Sequence, residues 1–296
     1  MQLADAAAVP YRTPGTRHRE GNIEFKYLLR GRSGSAQNYE LSIVRTRERF
    51  FSPAHRHNFD QLRFVLAGRF GQPGALELKA GEVGYYPEGT PYVIESADTE
   101  LMLVQFGGAS GEGFTHYDEL RASYPKMAQL GRFEDGIFRW NDPPPGEPRQ
   151  KDGYEALWEQ IHGRRLRYPA QRYRAPVVMN PAAFAWQPGA AAGAWVRPLG
   201  SFSERHIRVE QTRLEQGVSV RTLPDASIRL GYVVAGSGSL DGQPLHAGCA
   251  FELAAGEQAL LAAGDSLLVL DLYLPAFPAG FTPGSQTVAA PGEVAA

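Results

Sequence analysis

Apolar and polar positions alternate along the chain in short runs. From residue 23 the pattern reads Ile23-Glu24-Phe25-Lys26-Tyr27-Leu28-Leu29, then Tyr39 to Val44, Phe64 to Phe70, Ala75 to Leu78, Gly84 to Tyr86, Tyr92 to Ile94 and Leu101 to Phe106, with glycine-containing turns between many of them. Short strands at intervals of roughly 8–12 residues without intervening helices predict an all-β sandwich or barrel. Residues 1–22 are small, polar and punctuated by Arg, Pro and Gly, which predicts a loosely held arm. After Gly107–Gly113 the character changes. Residues 116–130 are weakly helical, with an interruption at Pro125 and a stop at Gly131, and Pro143-Pro144-Pro145 marks an exposed linker. A clearer helix follows: Asp152 and Glu155 form a capping-box variant, Tyr154, Leu157, Trp158 and Ile161 recur at helical spacing, and Gly163 offers a C-terminal stop. The β pattern resumes near 201. The expected organisation is an arm (1–22), a β domain (23–108), a partly helical connector (109–200), a second β domain (201–275) and a tail (276–296).

Composition narrows the classes. The 296 residues are 43% hydrophobic and 21% charged, ordinary for a globular protein, and the formal net charge of −2 gives no electrostatic reason to expect nucleic acid or an anionic membrane surface. The segment Arg164–Arg174 is basic with interleaved tyrosines, but in a chain of this balance it reads as a solvated connector or a subunit contact. The single cysteine, Cys249, excludes an intrachain disulfide framework and fits a reducing compartment. The N-terminus lacks a basic and then apolar leader pattern, and no apolar run approaches the roughly 20 residues of a membrane helix. A cytoplasmic protein acting on a small molecule is expected, with no nucleic-acid or membrane partner.

The candidate chemistry lies in His55-Arg-His-Asn-Phe-Asp-Gln-Leu-Arg-Phe-Val-Leu-Ala-Gly68. On a strand, residues i and i+2 share a face, so His55 and His57 can both aim into a barrel, and Gln61 returns to that face after a short connection. Residues 61, 63 and 65 share a face as well, which points Arg63 inward. A buried guanidinium needs an anion: either a structural partner such as Glu48 or Glu95, or a substrate carboxylate or enolate held bidentately. Gln105 lines the cavity if its apolar strand has the right phase. Tyr85, Tyr86 and Phe64 read as core or interface, Asn58 and Asp60 as shaping the turn, and His116 and His162 as surface residues.

A repeat exposes the architecture. Placing Gly236 on Gly68 aligns Arg229-Leu-Gly-Tyr-Val-Val-Ala-Gly with Gln61-Leu-Arg-Phe-Val-Leu-Ala-Gly, and Gly248 to Gly256 repeats the interval from Gly81 to Gly89. The first copy resembles the two-part cupin motif. It has His55-x-His57, three residues, Gln61 where an acid is usual, six residues and Gly68; then Gly81, five residues, Pro87-x-Gly89, two residues, and Tyr92 where a histidine is usual. The resemblance implies a bicupin, two jelly-roll β-barrels each with a cavity in its mouth. In the second copy Leu223 and Asp225 fall on His55 and His57, Arg229 on Gln61, and Ala259 near Tyr92. Leu and Ala cannot ligate a metal and Arg repels one, so one site per chain is expected, with the second barrel structural or part of a homodimer interface.

The resemblance further implies one divalent transition metal, Fe first and Mn, Ni, Zn or Cu as alternatives, held by His55, His57, Gln61 and Tyr92. Gln61 removes a negative charge and Tyr92 replaces an imidazole by a phenol, both of which weaken the site, although Gln occurs at this position in metal-binding cupins. The implied function is a metal-dependent enzyme acting on a small oxygenated or carboxylate-bearing substrate, a dioxygenase first, with Arg63 and Gln105 binding substrate and Arg63 and Tyr92 catalytic. A redox-neutral isomerase or lyase, and a non-enzymatic binding protein with a vestigial site, are the alternatives.

Overall fold

The computed structural model describes residues 1–15, 22–112 and 114–281. Strand β1 (Gln2–Asp5) precedes a first barrel of β2 (Ile23–Arg30), β3 (Tyr39–His55), β4 (Asp60–Gly71), β5 (Glu77–Lys79), β6 (Val83–Tyr86) and β7 (Tyr92–Phe106). The connector carries α1 (Tyr117–Leu130), β8 (Gly131–Glu134), β9 (Ile137–Trp140), β10 (Gln150–Asp152), α2 (Gly153–His162) and β11 (Val177–Met179). The second barrel comprises β12 (Gln187–Pro188), β13 (Ala194–Ser201), β14 (Arg208–Leu214), β15 (Ser219–Arg221), β16 (Arg229–Leu240), β17 (Gln243–His246), β18 (Cys249–Leu253) and β19 (Leu260–Tyr273). The order in the first sheet is β11-β6-β4-β7-β3-β2, with β5 on β4. In the second it is β1-β18-β16-β19-β14-β13-β12, with β15 on β19 and β17 on β16. None of the helices among the described residues is long and apolar enough to cross a membrane.

The repeat is visible in the backbone. β4 and β16 are equivalent, as are β6 and β18, and the paired motif glycines share conformations: φ is +80° at Gly68 and +85° at Gly236, +85° at Gly81 and +93° at Gly248, +74° at Gly89 and +79° at Gly256. At Gly68 and Gly236 the reason is also steric, since a Cβ would come within 2.7 Å of the Asp98 carbonyl oxygen and 1.9 Å of that of Ser266. Only glycine tolerates both the left-handed backbone and the crossing strand.

Phe25, Val44, Val65, Phe70, Leu101 and Leu103 fill the interior of the first barrel, and Leu214, Val233, Phe251, Leu261 and Val269 that of the second. A third cluster joins the barrels: Tyr39, Leu41, Leu62, Phe64 and Tyr85 pack with Phe202, Ile207, Val209, Leu230 and Leu272, and the Tyr85 and Phe202 rings stack with centroids 4.3 Å apart. Burying side chains of this size contributes about 1.5–3 kcal/mol each, so the two barrels are held as one body.

Four local expectations are revised. Residues 2–5 are not a loose arm: Leu3 and Ala4 pair with Phe251 and Ala250, making β1 an edge strand of the second barrel. α1 continues through Pro125 rather than breaking there, its buried face of Leu120, Tyr124 and Met127 holding it against the connector core. Within the first part of the expected tail Phe277 and Phe281 pack, their rings 4.4 Å apart beside the Arg205 guanidinium, while residues 282–296 lie outside the described residues. His116 is buried, not on the surface; it caps α1 and its ring contacts the Tyr39 carbonyl. Helix α2 forms as its sequence dictates, with the Asp152 carboxylate accepting from the Tyr154 and Glu155 amides and Gly163 left-handed at the C-terminus.

Candidate functional site

His55 ends β3 and stands opposite Tyr92, the first residue of β7. His57 is not on the strand, contrary to the strand-alternation argument; it lies in the connection to β4. It faces the cavity because that connection is tied down, the Gly89 amide donating to the His57 carbonyl at 2.8 Å and the Tyr154 hydroxyl to Asn58 Oδ1 at 3.1 Å. The His55 and His57 rings meet edge to face with centroids 5.0 Å apart, and Tyr92 lies 4.6 Å from His55. His55 Nδ1 is 2.7 Å from the Pro53 carbonyl oxygen. A carbonyl only accepts, so Nδ1 carries the proton and Nε2 the lone pair, the orientation a metal-ligating imidazole needs.

The residues therefore fit a divalent metal in part. Two imidazoles are converged and one has its tautomer fixed. The Gln61 amide oxygen accepts from Arg63 Nη2 at 2.5 Å and keeps a second lone pair, while Gln61 Nε2 donates to the Tyr92 hydroxyl at 3.0 Å. The set is charge-poor, because no carboxylate of the motif contributes.

Arg63 defines the electrostatics. It is 4% exposed, stacked 3.9 Å from the centroid of the Tyr86 ring, and donates through Nη2 to Gln61 and, at 3.2 Å, to Tyr92. Nε and Nη1 are buried without a well-formed hydrogen bond, and the Tyr86 hydroxyl lies beside the guanidinium, which partly offsets the upward push of burial on that phenol. Neither expected structural anion is used. Glu95 pairs with Arg49 at 2.9 Å, and Glu48 sits exposed in a left-handed turn at φ +56°. Among the described residues no carboxylate forms an ion pair with Arg63.

His55, His57, Gln61 and Arg63 line one cavity of about 100 Å³ together with Ser52, Gln105, Thr115, Tyr117 and Tyr154, and the rest of its wall is mostly Phe, Leu, Ile and Val. Gln105 faces inward because it stands opposite Gln61 on the neighbouring strand, which resolves the phase that its apolar surroundings obscured. Phe114, Tyr117 and Tyr154 come from the connector, whose helices cover the mouth of the barrel. Sequence reasoning passed over them. The only signal was the amphipathic face of α2, which shows that the helix packs on something without showing what. Tyr86 was read as core and is core, but it also supports the guanidinium.

Behind the loop lies a buried acidic pair. Asp60 accepts from the Tyr85 hydroxyl and the Glu88 amide, both at 2.6 Å, and Glu88 accepts from the Ser110 amide and hydroxyl. Burial, and then the neighbouring Asp60 carboxyl, push Glu88 up to about 8; burial raises Asp60 too.

In the second barrel the equivalent place is filled from within. Arg229 donates through Nε to Asp271 at 2.9 Å, and Asp271 also accepts from Thr212 at 2.7 Å. Leu223 is 78% exposed, Asp225 is paired with Arg208, and Ala259 is buried. A guanidinium and its carboxylate occupy the interior where the first barrel has its cavity.

No protein-family model matches the sequence, nor does any curated protein. Solved structures do match in shape. A presumed dioxygenase of Nostoc punctiforme PCC 73102 aligns with a TM-score of 0.58 at 11% identity, over 93% of this chain and 83% of that one. Oxalate decarboxylase of Bacillus subtilis, studied for its Mn(II) centres, aligns at 0.56 and 14% identity over 94% and 78%. The presumed glyoxylate-induced protein of Pseudomonas aeruginosa aligns at 0.55 and 14% over 88% and 84%. These likenesses show that the chain shares the overall fold of these proteins, and the motif spacing and the doubled glycine skeleton agree with it.

Proposed function

We propose that this chain is a metal-dependent bicupin enzyme acting on a small carboxylate- or enolate-bearing substrate, with a dioxygenase as the leading activity. The observation that carries the reading is Arg63: a desolvated cation with two nitrogens that make no hydrogen bond, set in the wall of a mostly apolar cavity, is poised for an anion that arrives with the substrate. The cavity of about 100 Å³ suits a small anion. His55, His57 and the Gln61 oxygen would hold the metal, which when bound supplies a Lewis acid able to polarise a substrate oxygen. Arg63 clamps the carboxylate and stabilises charge developing on the adjacent oxygen. Tyr92, hydrogen-bonded to both Gln61 and Arg63, is the hydroxyl able to hold or pass a proton beside the reacting carbon. The aromatic residues brought by the connector exclude water.

A second reading, redox-neutral lyase or isomerase chemistry, is favoured by the neutral Gln61, which leaves the ligand set without the negative charge that steadies an oxidised metal. The fold likeness to a manganese-containing oxalate decarboxylase is compatible with it. The deciding experiment is turnover of small 2-oxo acids, β-dicarbonyls and dicarboxylates by metal-replete protein, followed with an oxygen electrode and repeated under argon. Oxygen uptake that stops under argon supports the dioxygenase. Undiminished anaerobic turnover supports the lyase or isomerase, and a chain that binds neither metal nor small carboxylates refutes both.

A further inference from the structure

Outside the cavity, one group of side chains has the composition of a second metal site. Asp5 ends β1, His246 ends β17 and Cys249 begins β18, and their ligating atoms all lie within 4.8 Å of one another. Asp5 is the strand partner of Cys249, and His246 reaches them across a tight turn in which Gly248 takes φ +93°. The contacts orient the donors. The Ala7 amide donates to Asp5 Oδ1 at 2.8 Å, leaving Oδ2 turned to His246 Nε2 at 3.4 Å. His246 Nδ1 is 3.0 Å from the Ala247 carbonyl oxygen, which can only accept. Nδ1 must carry the proton, so in the neutral imidazole the Nε2 lone pair faces a carboxylate oxygen. Facing a carboxylate oxygen, that lone pair must take up either a proton, which makes an ion pair, or a metal ion, and the Cys249 sulfur within the same cluster adds a third donor suited to the metal.

We propose that Asp5, His246 and Cys249 bind a divalent cation of borderline softness, Zn(II) foremost, with water completing the shell. Carboxylate, imidazole and thiolate form a donor set suited to zinc. In tetrahedral zinc, nitrogen and oxygen ligands at their usual bond lengths stand about 3.4 Å apart, the separation between Asp5 and His246. Cys249 is buried, whereas Asp5 and His246 are partly exposed, so the ion can enter from solvent and finish against the sulfur. Bound there, it would pin the N-terminal strand to the second barrel, more than two hundred residues away in sequence. The site lies on the second barrel, away from His55 and His57, and does not depend on the function proposed for them.

Cobalt(II) added to the metal-stripped full chain tests this directly. Cys249 is the only cysteine, so a thiolate-to-cobalt charge-transfer band reports this site whatever the first barrel binds. The expected result is a band saturating at one equivalent, displaced by Zn(II), weakened on the order of 100-fold in affinity by His246→Gln and lost in Cys249→Ser. His246 is exposed, so His246→Gln probes the site without disturbing the core. Absence of the band in the wild-type chain, or a band with unchanged affinity in His246→Gln, overturns the proposal.

Discussion

Replacing Arg63 with Met separates a structural cation from a substrate clamp. In the folded protein the guanidinium makes two hydrogen bonds, through Nη2, and packs on Tyr86, while Nε and Nη1 make no well-formed hydrogen bond. Losing two hydrogen bonds from a charged donor costs about 3–6 kcal/mol, and relieving two unsatisfied buried nitrogens returns about 2–6 kcal/mol. The lost cation–π contact is worth about 2 kcal/mol, and Met recovers packing through its flexible chain. The terms nearly cancel, and Arg63→Met is expected to lie within about 2 kcal/mol of wild type. Breaking a buried ion pair would instead cost about 3–5 kcal/mol. Urea unfolding reads the difference as a small shift of midpoint at unchanged slope. Ligand binding should behave oppositely. Oxalate or malonate at a hundredfold excess over Kd stabilises the wild-type protein by about 2.7 kcal/mol and should leave Arg63→Met unmoved. A loss above about 3 kcal/mol, or dicarboxylate stabilisation that survives the substitution, would refute the clamp.

Three further outcomes are expected. Protein purified without chelator should contain close to one transition metal in the first barrel, and His57→Ala should lose it while keeping its circular dichroism spectrum, as elemental analysis of both will show. Glu88 has a folded-state pKa above its unfolded one, so the folded protein holds the extra proton; the associated stability is present below the ordinary carboxylate range and lost as pH rises through about 8. Glu88→Gln should flatten that decline in thermal melts between acid and mildly alkaline pH, and an unchanged slope would assign the pH dependence elsewhere. Arg229→Met leaves Asp271 buried with a single remaining side-chain donor, Thr212, and should destabilise by about 3–5 kcal/mol, whereas Arg229→Met combined with Asp271→Leu should recover most of that loss in the same unfolding assay.

The parts of this molecule legible in the sequence are those dictated by local physics. Gly68, Gly81 and Gly89, with their counterparts in the second half, are required by backbone conformation, so their spacing carries the fold even at the 11–14% identity of the matching structures. The cap and stop of α2 are equally local. The rest depends on what distant segments bring together. That the connector helices cover the first barrel, placing Tyr154 against Asn58 and near His57, is invisible in an amphipathic pattern that specifies a buried face but not its partner. β1 is too short to announce itself, and its place beside β18 is set by the open edge of a barrel built from residues far along the chain. Strand alternation alone points Arg63 inward, but whether a glutamate meets it is decided only in three dimensions.

That answer also accounts for the difference between the barrels. Both use the same glycine skeleton, and both bury an arginine within two positions of one another on equivalent strands, Arg63 on β4 and Arg229 on β16. In the second barrel Asp271 neutralises the guanidinium and Thr212 satisfies the carboxylate, so its charges are internally closed and no ligand is needed. In the first, the position on β7 equivalent to Asp271 is Leu103, opposite Arg63, and the guanidinium is left with an amide, a phenol and aromatic faces. An electrostatic balance completed within the fold makes a scaffold. The proposed anion site rests on a balance left incomplete beside two converged imidazoles, with Leu103 standing where the second barrel has its aspartate. The converse substitution, Leu103→Asp, should therefore close the first barrel: it is expected to pair with Arg63, hold or raise stability, and abolish dicarboxylate stabilisation. Retained anion binding in that variant would show that the open charge on Arg63 is not what selects the ligand.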